Sequence, residues 1–168
     1  PQEMVFFGLA THLINSKNIN NLEKNYLDEK FLPKNNEIKD NYSEIHKNID
    51  FIEEVFQGDI WSIIKNIKKS KSDFAKKTYK HLMHRCPMSL AVTTQLYNRA
   101  KKLSLKECLE MEFQLSQKMV YRDDFNNGVE ALLVTKTNNP KWSPSSLNKI
   151  KKTELDNLFE IHTQELGL

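Results

Sequence analysis

The stretch Ser104-Leu105-Lys106-Glu107-Cys108-Leu109-Glu110-Met111-Glu112-Phe113-Gln114-Leu115-Ser116-Gln117 decides the fold class. Ser104 with Glu107 three residues later is a capping box: the hydroxyl accepts from the Glu107 backbone N–H, and the carboxylate reaches back to that of Ser104. The strongest helix of the chain starts there and runs on through Leu115 and Met119. Upstream, residues 89–102 carry Leu90, Val92, Leu96, Tyr97 and Ala100 at helical spacing. Ser72 or Asp73 can cap a helix running to Arg85, which Pro87 forbids from continuing. Asp59 caps a short helix holding Ile60, Ile63 and Ile67, and residues 43–56 form another that ends before Gly58. Downstream, Asp124 can cap a helix from Phe125 to Lys136, closed by Asn138-Asn139-Pro140. A capped turn near Ser143 and a last short helix over residues 153–162 follow.

At the N-terminal end, residues 18–31 make an amphipathic helix with Ile19, Leu22, Tyr26 and Leu27 on its apolar side, and the Asn-rich residues 32–41 with Pro33 read as a loop. Before them, Gly8 stops a helix end, and Leu9-Ala10-Thr11-His12-Leu13-Ile14 suits one short strand. The expected fold class is mainly α, one helical region over residues 1–168 with a single strand near its start.

The 168 residues suit one domain or part of one. With 25 basic against 22 acidic residues, the net charge of +3 does not advertise a phosphate-backbone ligand. No apolar run is long enough to cross a bilayer. The two cysteines, Cys86 and Cys108, have no partner at zinc-site spacing and read as reduced and buried. Pro1 in place of Met suggests a processed or truncated chain, and no targeting segment is visible.

Positioned chemistry is scarce. Nucleotide, metal-protease and nucleophile-elbow motifs are missing, and four glycines leave little backbone for close approach to a phosphate or an oxyanion. No resident cofactor or metal is expected. Glu107, Glu110 and Glu112 lack a nearby His and read as a solvated face. His81, His84 and Cys86 could be metal ligands at one helix end, but Pro87 follows and a fourth ligand is missing, so the two histidines read as ordinary ones favoured by a helix C-terminus. The Lys-rich residues 65–80 offer Trp61, Phe74 and Tyr79 as aromatics nearby, an RNA-contact pattern set against an ordinary solvated basic face.

Three ordered blocks carry a resemblance. Cys86-Pro87-Met88-Ser89-Leu90-Ala91-Val92-Thr93-Thr94-Gln95-Leu96 is similar to SPxSLxVTxxQL. The capping-box block is similar to LSLxECLxMExxLSQ. Residues 124–136, closing with Pro140-Lys141-Trp142, are similar to DFxEGVRAxLIDKDxxPKW. Gly8-Leu9-Ala10-Thr11-His12-Leu13 resembles a G(I/L)ATHFV segment. Together they resemble the C-terminal region of 3-hydroxyisobutyryl-CoA hydrolases, a branch of the crotonase (enoyl-CoA hydratase/isomerase) superfamily.

That resemblance implies a helical C-terminal part of a crotonase-type domain whose oxyanion-hole glycines and acidic pair lie upstream, in a β-rich spiral that this chain does not include. It implies thioester hydrolysis of an acyl-CoA in valine catabolism by the complete protein, in mitochondria, with the catalytic half or a neighbouring subunit as partner and no membrane. It implies Lys136, Lys141 and Trp142 at the edge of a CoA site: lysines toward phosphate, the ring toward adenine. The alternative for the Pro-Lys-Trp turn is packing of the last helix. Where the family has Glu, Arg and Asp, this chain has Asn127, Glu130 and Thr135, which puts retained activity in question. A non-catalytic structural component, for example of a mitochondrial ribosome, is the other implied role.

Overall fold

The computed structural model describes residues 2–29, 43–162 and 166. The chain divides into two compact units, Pro1–Glu54 and Val55–Leu168. In the first, α1 (Gln2–Phe6) ends at Gly8, whose φ of 69° lies in the left-handed region open to glycine. The N–H groups of Leu9 and Ala10 both return to the Met4 carbonyl, at 2.8 and 3.0 Å. The strand expected over residues 9–14 does not form, because a strand exists only as one side of a hydrogen-bonded ladder, and no strand occurs among the described residues. Asn15 then caps a tight turn at Ser16–Asn18 through its side-chain oxygen, which leads into α2 (Ile19–Glu29). Of the apolar face expected there, Leu22 is half-buried while Ile19, Tyr26 and Leu27 are exposed. The loop expected over residues 32–41 lies outside the described residues.

The helix expected over residues 43–56 is two pieces, α3 (Glu44–Lys47), capped by Ser43, and α4 (Ile49–Val55). Asn48 separates them: its side-chain amide donates to the Glu44 carbonyl at 2.7 Å and so competes for an acceptor the helix would use. Within this unit the Phe6 ring lies on the His46 imidazole, centroids 3.8 Å apart.

The second unit is a helical bundle. Gly58, at φ 83°, turns the chain into α5 (Ile60–Ile67), where Asp59 accepts from Ser62 N–H at 2.8 Å as expected. α6 (Asp73–Met83) is capped by Ser72, which accepts from Ala75 N–H. α7 (Pro87–Ala100) starts two residues earlier than expected, since Pro87 in the first turn has no N–H to leave unsatisfied. α8 (Leu105–Met119) carries the full capping box, with both reciprocal bonds of Ser104 and Glu107 present. α9 (Asp123–Val129) widens into a π-turn at Glu130–Val134, and α10 (Lys152–Leu158) closes the bundle.

The core gathers Ile60, Met88, Ala91, Val92, Leu115 and Leu155, with Met88 fully buried. Cys86 belongs to it, whereas Cys108 is only half-buried, its thiol 3.9 Å from the Ala100 carbonyl. Along α5 and α6 the lysines stay outside. Lys69 reaches Asn66, Lys76 pairs with Asp73, and Lys68 lies over the Tyr79 ring. Phe74 and Tyr79 are half-buried, and the exposed indole of Trp61 is tied to the Leu147 carbonyl at 3.3 Å. These contacts describe a solvated basic face.

Candidate functional site

The segment around Pro140-Lys141-Trp142 is built by α9 and the wide turn after it. In the π-turn the Thr135 N–H bonds the Glu130 carbonyl at 2.8 Å, five residues back, and the Asn138 N–H reaches the Ala131 carbonyl at 3.0 Å. The chain reverses through Lys136 and Asn138, both at φ 54°. Asn138 tolerates this region well; Lys136 is a side chain that rarely adopts it. The returning strap lies on Gly128. A Cβ there would sit 3.3 Å from Cη2 and 3.4 Å from Cζ3 of Trp142, tighter than ordinary contact, so a larger residue would press the indole back by a few tenths of an ångström. Trp142 is half-buried and packs on the core.

The three expected CoA-edge residues fall in different surroundings. Lys141 lines a polar cleft of about 480 Å³ with Asn127, Glu130, Thr135 and Thr137. Trp142 lines an apolar cleft of about 570 Å³ with Met119, Phe125, Val129 and Leu132. Lys136 is exposed on the left-handed turn and lines neither cleft. The three positions that depart from the family pattern all lie at this turn. The Asn127 amide donates to the Lys141 carbonyl at 2.9 Å, which fixes the strap. The Thr135 hydroxyl donates to the Glu130 carbonyl at 3.0 Å, and the Glu130 side chain is exposed.

A polar group that sequence reasoning misplaced sits behind the strap. Asp124 does not cap α9: Arg122 occupies the cap position without a side-chain capping bond, and Asp124 is buried. Its Oδ1 accepts from Ser143 N–H at 2.7 Å, and its Oδ2 lies 3.5 Å from Arg122 Nη2. Arg122 also donates to Glu154 at 2.9 Å and to the Ser143 carbonyl at 2.9 Å. This set ties α9, the strap and α10 together. An Asp just before an apolar run signals a cap equally well, so only the tertiary fold separates the two uses.

The other sequence candidates do not assemble. Among the described residues no group of three or more His, Cys, Asp or Glu side chains could hold a metal ion, and no helix is long and apolar enough to cross a membrane. His81 and His84 are exposed while Cys86 is buried. Glu107 is engaged in the capping box, and Glu110 accepts from Gln114 Nε2 at 2.9 Å and Leu166 N–H at 2.7 Å. Hydrogen bonds from Ser104 hold the Glu107 carboxyl below its usual range, and those from Gln114 and Leu166 do the same for Glu110.

A carboxylate with a lowered folded-state pKa contributes stability above the ordinary carboxylate range and loses it as pH falls through the lowered value. The Leu166 amide resonance is therefore expected to move toward its unbonded position on acidification below that range, and Glu110→Gln should remove the transition. An unchanged titration in the variant would assign the movement to another group.

Comparison with known proteins places the whole segment. The enoyl-CoA hydratase/isomerase family matches residues 1–159. The 3-hydroxyisobutyryl-CoA hydrolase, mitochondrial, of Dictyostelium discoideum is 35% identical over 91% of this chain and 44% of its own length. The protein of the same name from Homo sapiens is 32% identical over 91% of this chain and 43% of its own length. A carnitinyl-CoA dehydratase from Mycobacterium thermoresistibile, 23% identical, superposes with a TM-score of 0.84 over 98% of this chain and 48% of that one. An enoyl-CoA hydratase from Rhodobacter sphaeroides 2.4.1, 19% identical, gives 0.83 over 95% and 47%. The chain spans less than half the length of these relatives. With the fold and a family match over nearly every residue in agreement, the chain belongs to the enoyl-CoA hydratase/isomerase family.

Proposed function

We propose that this chain is the C-terminal helical part of a 3-hydroxyisobutyryl-CoA hydrolase-like protein, one that hydrolyses an acyl-CoA thioester in mitochondrial valine catabolism. The observation that carries this reading is collinear similarity to mitochondrial 3-hydroxyisobutyryl-CoA hydrolases at 31 to 35% identity over nine-tenths of the chain. In such a reaction water adds to the thioester carbonyl, donors stabilise the oxyanion, and the CoA thiol leaves. The helical part supplies none of those donors on this reading. The described glycines serve turns or the Trp142 contact, and Glu107 and Glu110, which could otherwise assist a water as bases, already accept from backbone N–H groups and a side-chain amide. Its role is to buttress the site and to offer a cation at the CoA edge.

Of the three edge residues, Lys141 is the one we assign to a CoA phosphate, since it lines the polar cleft and its backbone is pinned by Asn127. Lys136 adds charge on the adjoining turn, and Trp142 holds the strap against Gly128. The test is thiol release from 3-hydroxyisobutyryl-CoA. Residues 1–168 alone should release none above background, whereas the intact protein should hydrolyse the thioester. In the intact protein Lys141→Ala should raise KM roughly threefold to tenfold with little change in kcat, as expected for loss of about 1 kcal/mol from an exposed charge contact. Turnover by the isolated chain, or an inert intact protein, would overturn the reading.

A further inference from the structure

A third cleft, of about 640 Å³, lies between the start of α5, the face of α7 and the start of α10. That volume is within the roughly 300–1,000 Å³ of small-molecule sites. Its floor is apolar, made by the buried Ala91 and Leu155 with the half-buried Ile150. The indole of Trp61 stands at its side, oriented by the bond from Nε1 to the Leu147 carbonyl.

The polar groups of the lining separate into spent and available ones. The Thr94 hydroxyl donates back to the Leu90 and Ala91 carbonyls, the Asn98 amide donates to the Gly58 carbonyl at 2.7 Å, and Asp59 caps α5. What is left to face a ligand is the Gln95 amide and three cations, Arg99, Lys102 and Lys152, with Asp156 opposing them. The Arg99 guanidinium carbon lies over the Phe159 ring, 4.2 Å from its centroid. A guanidinium offers a planar fork of N–H groups that suits a planar acceptor in bidentate fashion.

Charge decides which anion. Three cations against two carboxylates in the lining leave one net positive charge, which suits a monoanion; a phosphate dianion would be undercompensated and pushed by both aspartates. An apolar floor beside a single cationic clamp further asks for a ligand with a hydrocarbon body. We infer that this cleft is a binding site for a monocarboxylate with a short aliphatic chain, its carboxylate on Arg99 and Lys102 and its chain on Ala91, Ile150 and Leu155. Nothing in this inference depends on the hydrolase reading.

Calorimetric titration of the intact protein with octanoate tests it, with 1-octanol and inorganic phosphate as the probes that carry only one of the two features. Octanoate should bind while the other two do not. Arg99→Gln should weaken octanoate about tenfold, as for loss of a charge-assisted hydrogen bond. Arg99 is exposed, so the variant should keep the parent's thermal midpoint; Lys102→Gln gives an independent second reading of the clamp. Failure of octanoate to bind, equal binding of octanol or phosphate, or unchanged affinity in both variants would each overturn the proposal.

Discussion

Asp124→Ala is expected to destabilise the second unit by about 3 kcal/mol, read as a lowered urea midpoint at unchanged slope. The figure takes the lower end of the range for breaking a buried pair, because the side chain of Asp124 is 5% exposed but that of Arg122 is 18%. Alanine leaves the Ser143 N–H without its acceptor and removes one carboxylate from a guanidinium whose Nε has no partner among the described residues. Glu154 keeps part of the charge balanced. Asp124→Asn should cost less, since an amide oxygen can still accept from Ser143. If alanine cost no more than asparagine, the bond from Ser143 would contribute nothing, and the strap would be held by Trp142 with the bonds from Asn127 and Arg122.

Met88→Ala is expected to cost about 2–5 kcal/mol, the range for removing a buried methionine side chain from a packed site. Met88 is 0% exposed and sits in the cluster with Ile60, Val92 and Leu115. Leu133→Ala is the matched control: Leu133 is 70% exposed and should change stability by no more than about 0.5 kcal/mol. Thermal midpoints of the two variants measured side by side check the difference. Comparable losses would mean that Leu133 is covered in solution.

Why some elements were legible and others not follows from how local their causes are. The starts of α5, α6 and α8 are each set by one side chain and an N–H three residues on, so Asp59, Ser72 and Ser104 announce them in the sequence. The start of α7 turned on a choice between Ser89 and Pro87, both good first-turn residues. Asp124 and the residues near Leu9 were misplaced because their roles depend on partners far along the chain: Ser143 for the one, a ladder strand for the other. α9 was drawn too long because nothing in Glu130-Ala131-Leu132-Leu133-Val134 distinguishes a π-turn from an α-turn; the distinction is made by Thr135 and Asn138 bonding backwards. At the candidate site, the motif placed Lys141 and Trp142 side by side, but the division of labour between a polar and an apolar cleft needed coordinates.

The lysines left outside on α5 and α6 make the molecule electrically lopsided. Residues 65–85 hold eight Lys and Arg against Asp73 alone, although the chain carries only +3. At physiological ionic strength the screening length is roughly 8 Å, about half the roughly 16 Å length of an eleven-residue helix such as α6. A charged surface or resin therefore meets the patch before it senses the rest. On a cation exchanger the protein should elute as though its charge were well above its net value, and it should adsorb with the α5–α6 side facing the matrix.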